Sequence, residues 1–387
     1  MKICLISNLY PPFVRGGAER VAEIMARGLF DSGHDVVVIS TKPNKRLDIE
    51  AGERYKVYRF KPMNLFYYLD DFRHSTLARF FWRLFDIFNL HGAFVVARIL
   101  QKERPGIVIT HNLTGIGFLI PSVIRAFKIR HCHILHDVQL FAASGIILKG
   151  AENGLLTNGW LARIFGRLCD ILFGSPDLVI SPSRWLMNYY VSNGFFRKSG
   201  QIVQSNPVRT VKALGGDRMA RRNKFLFAGQ LKPHKGIDWL VNLWEKNEIE
   251  DELIVVGAGD YQIACNKVRF AGALDEPGLN KIFVQADFLI VPSLCYENSP
   301  SVIQLAFANG VPVIVADIGG AAELVEPGKS GFIFTAGSEI EFLNALKQAK
   351  RISFGEWKVM SDYCRKKAMA FSVNNYITQL ISKILNH

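Results

Sequence analysis

The chain has 387 residues, 49% of them hydrophobic and 21% charged, with a formal net charge of +13. That is long enough for two α/β domains of similar size and too apolar for a disordered chain. The charge is uneven: residues 1–205 hold 26 Lys and Arg against 15 Asp and Glu, whereas residues 206–387 hold 21 against 19, so any anionic partner (nucleic acid, membrane or phosphorylated substrate) faces the first half.

Residues 2–7 are an apolar run that predicts a first strand, and the start does not read as a signal peptide. The loop that follows carries Gly16-Gly17. Val21, Ile24, Met25 and Leu29 then mark one helix face by their spacings, and Gly33 closes that helix. Residues 36–39 are a second continuous apolar strand. Fully apolar strands on either side of a helix predict a parallel sheet covered on both faces. The alternation continues through strands expected at residues 107–109, 133–135 and 178–180. After Asn206-Pro207-Val208 and the polar stretch 218–224 a second series begins, with strands expected at 224–227, 252–256, 288–291 and 313–316. The domain junction therefore falls near residue 208. Residues 373–385 space Ile377, Leu380, Ile381 and Leu385 as an amphipathic helix. No uninterrupted apolar run approaches the ~18 residues of a spanning helix, so an integral membrane protein is disfavoured, as is a secreted one.

One segment breaks the rhythm. Residues 60–100 hold Phe60, Phe66, Tyr67, Tyr68, Phe72, Phe80, Phe81, Trp82, Phe85, Phe88 and Phe94, interleaved with Lys61, Arg73, Arg79, Arg83 and Arg98. The pattern suits a helix lying on an anionic membrane. Its plainer alternative is helices packed on the sheet with arginines on the wet face. Single-stranded nucleic acid would also use such a pattern, but no nucleic-acid-binding module accompanies it, and nucleic acid is not expected as a partner. The six cysteines are scattered without a C-x-x-C pair, the usage of a reduced compartment. The expected location is cytoplasmic, peripheral at the inner face of the membrane. His131, Cys132, His133 and His136 cluster, but no further ligand pair stands at a known spacing, and no metal is expected.

The second half carries more chemistry. Gly229 and Gln230 end a strand, and Lys235-Gly236 open the next helical stretch, a place suited to a phosphate. On the plainer reading Lys235 is a solvated loop lysine. Gly257 and Gly259 sit in a turn after the next strand, before Asp260; glycines there admit a ligand to the backbone or close a tight turn. Ser299 suits a helix N-cap and Pro300 the first helical position. The N–H groups of Ser301, Val302 and Ile303 would then face the carboxyl edge of the sheet as an anion site. Glu297, just before them, would repel a phosphate unless it binds something else, such as sugar hydroxyls. Gly319-Gly320 and Glu323 follow the next strand at the same edge.

These segments, in this order, resemble the retaining glycosyltransferases of family 4, with the GT-B architecture of two Rossmann-like domains and an active-site cleft between them. The matching stretches are residues 11–19, His136-Asp137, residues 181–186, 227–236, 256–259, 270–274, 297–300 and 310–323, and they cover nearly the whole chain. The resemblance implies an acceptor-side domain at residues 1–208, a nucleotide-sugar-binding domain at 209–372, and a C-terminal helix at 373–387 packing back on the first domain. It implies sugar transfer with retention of configuration, with no cofactor and no metal, from a nucleotide-sugar donor to a glycan or lipid-linked acceptor. His136, Lys235 and Glu297 would be catalytic: Lys235 holding the diphosphate, Glu297 the sugar hydroxyls, His136 beside the reacting sugar. Substrate would be bound by Gly16, Gly17, Asp137, Ser183, Asn206, Gly229, Gln230, Gly257, Gly259, Ala273, Leu274, Asn298, Ser299, Ser301, Val302 and Leu305.

Two positions depart from the family pattern. Gln230 stands where an arginine is usual, and Leu305 where the second glutamate of the paired motif accepts hydrogen bonds from ribose. Gln304 lies about 100° round the helix and is a poor substitute. The expected activity is a hexosyltransferase of surface polysaccharide synthesis, peripheral at the anionic membrane. Its alternative is a catalytically weakened paralogue that acts as a binding or scaffolding partner of an active enzyme.

Overall fold

The structure is a computed structural model, and it describes residues 1–44, 47–51, 54–208, 223–259 and 267–386. Asp260, Cys265 and most of the polar stretch at 218–224 lie outside the described residues. The chain forms two compact units: Met1–Ile146 with Asn153–Pro207 and Val373–His387, and Ile147–Glu152 with Val208–Ser372. The short excursion Ile147–Glu152 into the second unit carries no mark in the sequence.

The first unit runs β1 (Lys2–Ile6), α1 (Gly17–Asp31), β2 (Asp35–Thr41), β3 (Asp48–Ala51), β4 (Lys56–Phe60), α2 (Thr76–Ile87), α3 (Leu90–Glu103), β5 (Ile107–Thr110), α4 (Ile120–Ala126), β6 (Arg130–Ile134), α5 (Trp160–Phe173), β7 (Leu178–Ser181), α6 (Arg184–Ser192) and β8 (Gly200–Val203). Its eight strands lie in the order β3-β4-β2-β1-β5-β6-β7-β8, all parallel except β3 against β4. Four of these strands are continuous apolar runs, as sheets covered on both faces require. Strand β4 is less legible because Arg59 interrupts it. That guanidinium is buried, donating to Tyr10 O at 3.0 Å and to Pro11 O, which anchors the loop before Gly16.

The second unit runs β9 (Lys224–Ala228), α7 (Ile237–Lys246), β10 (Glu252–Val256), β11 (Val268–Phe270), α8 (Glu276–Phe283), β12 (Phe288–Val291), α9 (Ser301–Ala308), β13 (Val313–Asp317), β14 (Gly331–Thr335), α10 (Glu339–Arg351) and α11 (Phe354–Met369). Its sheet is wholly parallel in the order β11-β10-β9-β12-β13-β14, a Rossmann order. Apolar cores cover both faces, one built on Phe225, Trp244 and Phe288, the other on Leu226, Phe307 and Val313. The chain then returns to the first unit as α12 (Val373–Asn386), whose Ile377 and Leu380 are buried in the core of that unit with Met25 and Leu29. Gly28 makes the close approach possible: a Cβ there would stand 2.8 Å from Ile377 Cγ1.

The aromatic segment folds as two helices joined at Phe88-Asn89, with Asn89 capping α3 through its Oδ1. By length and composition Thr76–Glu103 would suffice to cross a membrane, and 39% of its apolar window is buried in the protein. The aromatic residues divide by face. Trp82 turns inward, 4% exposed, with its Nε1 donating to Phe66 O at 2.7 Å. Phe72, Phe80, Phe81, Phe85, Phe88 and Phe94 are exposed.

Candidate functional site

In the second unit the connections leave β9 and β12 in opposite directions, and the loops beyond their carboxyl ends part there, which is where open α/β sheets bind ligands. The loop after β9 turns through Pro233–Lys235 into α7. Gly236 makes that turn, with φ +77, and a Cβ on it would meet Pro292 O at 2.0 Å. Only glycine lets this loop close on the end of β12. The closure brings Lys235 Nζ to 2.5 Å from Glu297 Oε1, and Ser293 Oγ donates to the same oxygen at 2.9 Å. Lys235 is therefore not a solvated loop lysine: its side chain is 26% exposed and that of Glu297 13%. Burial works against the ammonium charge, but Glu297 more than offsets it and holds the lysine pKa above its ordinary value. The backbone of Glu297 is fixed in turn, because Gly320 N donates to Glu297 O at 2.6 Å and Gly319, at φ +66, lies flat against it. The excursion Ile147–Glu152 braces the same loop: Tyr296 N donates to Ile147 O, Lys149 N to Leu294 O, and Tyr296 Oη to Glu152 Oε1 at 3.0 Å.

Helix α9 begins one residue later than expected. Its N-cap is Pro300, while Ser299 Oγ is buried without a hydrogen-bond partner among the described residues. Ile303 N–H is already taken by Pro300 O at 3.0 Å, which leaves Ser301 and Val302 as the free-facing donors of the first turn. Asn298 sits between this turn and Glu297. Leu305 is about one turn into α9, half-buried against the apolar core, and Gln304 is fully buried. Gly257 and Gly259, after β10, lie tight against the loop that follows β9. A Cβ on Gly257 would stand 1.8 Å from Gly229 O, and one on Gly259 2.8 Å from Leu231 Cβ, so glycine is needed there for chain to approach chain. Gln230, Ala273 and Leu274 are exposed at the same end of the sheet.

In the first unit, Gly16 N donates to the buried Glu19 carboxylate at 2.9 Å, which locks the glycine loop at the start of α1, where Gly17 is the first helical residue. His136 and Asp137 follow β6. The His136 ring stacks on His111, with 2.8 Å between His136 Nε2 and His111 Nδ1. Burial depresses His136 to about 4 and His111 well below its ordinary value, so both are neutral at pH 7. Burial raises Asp137 to about 6 against the hydrogen bonds from Gln139 N at 2.9 Å and Asn112 Nδ2 at 3.2 Å. A cavity of about 20 Å³ opens among these groups, and the buried His111 Nε2 has no partner among the described residues. Sequence reading missed His111, although a polar Thr-His-Asn directly after an apolar strand is the available signal. The other two histidines of the sequence cluster share one hydroxyl: His131 Nε2 and His133 Nδ1 both meet Thr110 Oγ1, at 2.7 and 2.8 Å. Among the described residues no group of three His, Cys, Asp or Glu is placed to hold a metal.

Two family models match: "Glycosyltransferase Family 4" over residues 15–209 and "Glycosyl transferases group 1" over residues 222–350. The chain belongs to glycosyltransferase family 4. Among curated relatives, an uncharacterized 42.6 kDa protein in the cps region of Klebsiella pneumoniae is 26% identical over 333 residues, 84% of this chain and 87% of that one. Glycogen synthase of Mycobacterium tuberculosis is 25% identical over 364 residues, 86% and 81% of the two chains. Among solved structures, Anabaena HepE in complex with UDP superposes with a TM-score of 0.71 at 16% identity, covering 100% of both chains. Sucrose-phosphate synthase of Thermosynechococcus elongatus gives 0.71 at 18%, covering 100% and 99%. At these identities the structures speak for the fold, two Rossmann-like domains.

In this glycosyltransferase the second unit brings Lys235, Glu297, Asn298, Ser301 and Val302 to one sheet edge, and the first unit places His136 and Asp137 at another. Ser183 does not join them. It is 2% exposed, and its hydroxyl caps α6 by accepting from Leu186 N at 3.3 Å. Asn206 lies beyond β8, two residues before the chain enters the second unit.

Proposed function

We propose that this glycosyltransferase is a retaining hexosyltransferase that moves a sugar from a nucleotide-sugar donor, without a metal, to a lipid-linked glycan of surface polysaccharide. The paired Lys235 and Glu297 carry the reading. A lysine whose charge is secured by a neighbouring carboxylate, beside the first-turn N–H groups of α9, suits a diphosphate leaving group. Glu297 would turn to the sugar hydroxyls, and a neutral His136, oriented by His111, would donate or accept a hydrogen bond at the sugar. In front-face transfer the departing phosphate oxygen takes the proton of the acceptor hydroxyl as the new glycosidic bond forms, so no separate base is needed. The exposed apolar face of α2 and α3, with Arg73 and Arg79 beside it, supports an acceptor presented at an anionic membrane on the cytoplasmic side. The relative from a cps region supports the polysaccharide role.

The packing of Leu305 against the core favours a second reading, a weakened paralogue that scaffolds an active enzyme. Calorimetric titration of wild type and of Gln230→Arg/Leu305→Glu with UDP- and GDP-sugars separates the two. An enzyme binds in both forms, and the double variant binds tighter by a charge-assisted hydrogen bond of ~1.5–3 kcal/mol before desolvation. No binding in either form, with the double variant melting lower, would sink the enzyme reading.

A further inference from the structure

Away from the residues described so far, the first unit holds a cavity of about 450 Å³ between α5 and the end of α6. Arg163, Arg167 and Arg197 line it together with one carboxylate, Asp170; Phe141 and the Ser192–Gly194 turn complete the wall. The size lies within the range of small-ligand sites. Three guanidinium groups against one carboxylate leave a formal +2 facing the space, the complement of a phosphate monoester dianion. Asp170 does not neutralise the site. It shares the wall with the arginines, and burial lifts its carboxyl above the ordinary value even though Arg197 and Arg167 pull it down. Arg197 is held in place by its own turn, its Nε donating to Gly194 O at 2.9 Å, and Arg163 Nε donates to Asn158 O at 3.3 Å. Both therefore keep their terminal nitrogens for a ligand. Arginine's planar fork suits phosphate oxygens better than lysine's point charge does.

What lies beside the cavity bears on the source of the phosphate. On α5, Trp160, Ile164 and Ile171 are 63%, 61% and 64% exposed. At 100° per residue they lie within about 40° of one another, with Arg167 about 20° to one side and Arg163 about 60°. Leu155 and Leu156, 50% and 64% exposed, continue the apolar surface just ahead of the helix. An apolar stripe bordered by a row of arginines is the arrangement that receives an acyl chain and its headgroup together.

We propose that the α5–α6 cavity binds a phosphate monoester, with an amphiphile's headgroup as the favoured source and a soluble phosphate ester as the other. The stripe on α5 is distinct from the α2–α3 face, so the proposal does not rest on the lipid-linked acceptor.

The test uses the full chain, with vesicles of phosphatidylcholine carrying either phosphatidic acid, a monoester, or phosphatidylglycerol, a diester, matched in surface potential. In parallel, inorganic phosphate and glycerol 3-phosphate are titrated by calorimetry. Wild type should prefer the monoester vesicles, and Arg163→Gln/Arg167→Gln should weaken binding to them by about tenfold, the order expected for losing charge-assisted hydrogen bonds. Diester binding should change little. Arg197→Gln, on the opposite wall, should reproduce the effect and guards against a local failure of α5. Binding of glycerol 3-phosphate that these variants abolish, without a vesicle preference, assigns the cavity to a soluble ester. Phe81→Ser/Phe85→Ser on α2 should lower adsorption to every vesicle and leave phosphate affinity alone, so failure of the acceptor reading is told from failure of this one. Equal binding to both vesicle types with no soluble phosphate bound, or affinities unmoved by the arginine variants, overturns the proposal.

Discussion

Removal of the Lys235 ammonium tests the proposed donor site in two ways at once, through stability and through rate. The pair lies at 2.5 Å with side chains 26% and 13% exposed, so it is neither a surface ion pair nor a fully buried one. Deleting one member of a fully buried pair costs about 3–5 kcal/mol; discounted for partial exposure, Lys235→Ala should cost about 1–3 kcal/mol. For a unit of this size each kcal/mol lowers Tm by roughly 2–4 °C, so a fall of about 2–12 °C is expected. Most of that loss comes from stranding the Glu297 carboxylate with Ser293 Oγ and the weaker Cys295 Sγ left to donate to it. Adding Glu297→Gln in the Lys235→Ala background should therefore restore most of the stability. On the proposed roles it should restore none of the activity, because the cation proposed for the leaving group and the carboxylate proposed for the sugar are then both gone. Turnover in Lys235→Ala should drop by about two to three powers of ten, as for loss of one charge-stabilising donor. The assay is nucleotide release from whichever donor the titration identifies, alongside thermal melts of wild type, both single variants and the double variant. Unchanged melting and unchanged turnover in Lys235→Ala would refute the reasoning, as would a double variant that regains its rate.

Gly236→Ala should act on the same site through the backbone. A Cβ at φ +77 and 2.0 Å from Pro292 O forces the loop off β12, so stability should fall by at least about 1–3 kcal/mol and turnover should fall with it; a variant that keeps both would show that the loop need not close there. Asp86 concerns the first unit: it is buried at the end of α2, accepts from Gly115 N at 2.7 Å, and burial lifts its carboxyl to about 7. A raised carboxyl means the folded state keeps a proton that the unfolded state releases, so its contribution is fully present below about pH 4 and is lost as pH rises to about 7. Asp86→Asn should therefore gain on wild type by ~1.4 kcal/mol per pH unit across that window and by no more above it. Melting curves from pH 4 to pH 8 check this, and a difference independent of pH would contradict it.

The core strands of both units were legible because a strand covered on two faces must be apolar throughout, and no other element of that length needs to be. Charged or glycine-bearing strands escaped the same reasoning: β4 contains Arg59, buried through two backbone acceptors, and β14 opens on Gly331. Helix faces were less legible. Phe81 and Trp82 are neighbours in a uniformly aromatic stretch, yet one is 46% exposed and the other 4%, because only the Trp82 face meets Phe66 and Tyr68.

At the candidate site, the residue types and their order along the chain were enough to mark Lys235, Glu297 and His136. Their partners were not visible, because partners come from other strands. Lys235 and Glu297 are 62 positions apart, and they meet only because β9 and β12 are neighbours in a sheet whose strand order is not its sequence order. His111 reaches His136 because β5 and β6 pair side by side in parallel, which puts the residues just past their ends within 2.8 Å. Local composition sets which segments can be strands and which side chains can do chemistry. Strand order and loop closure set which of those side chains touch, through close approaches as at Gly236 that depend on an atom from a distant part of the chain.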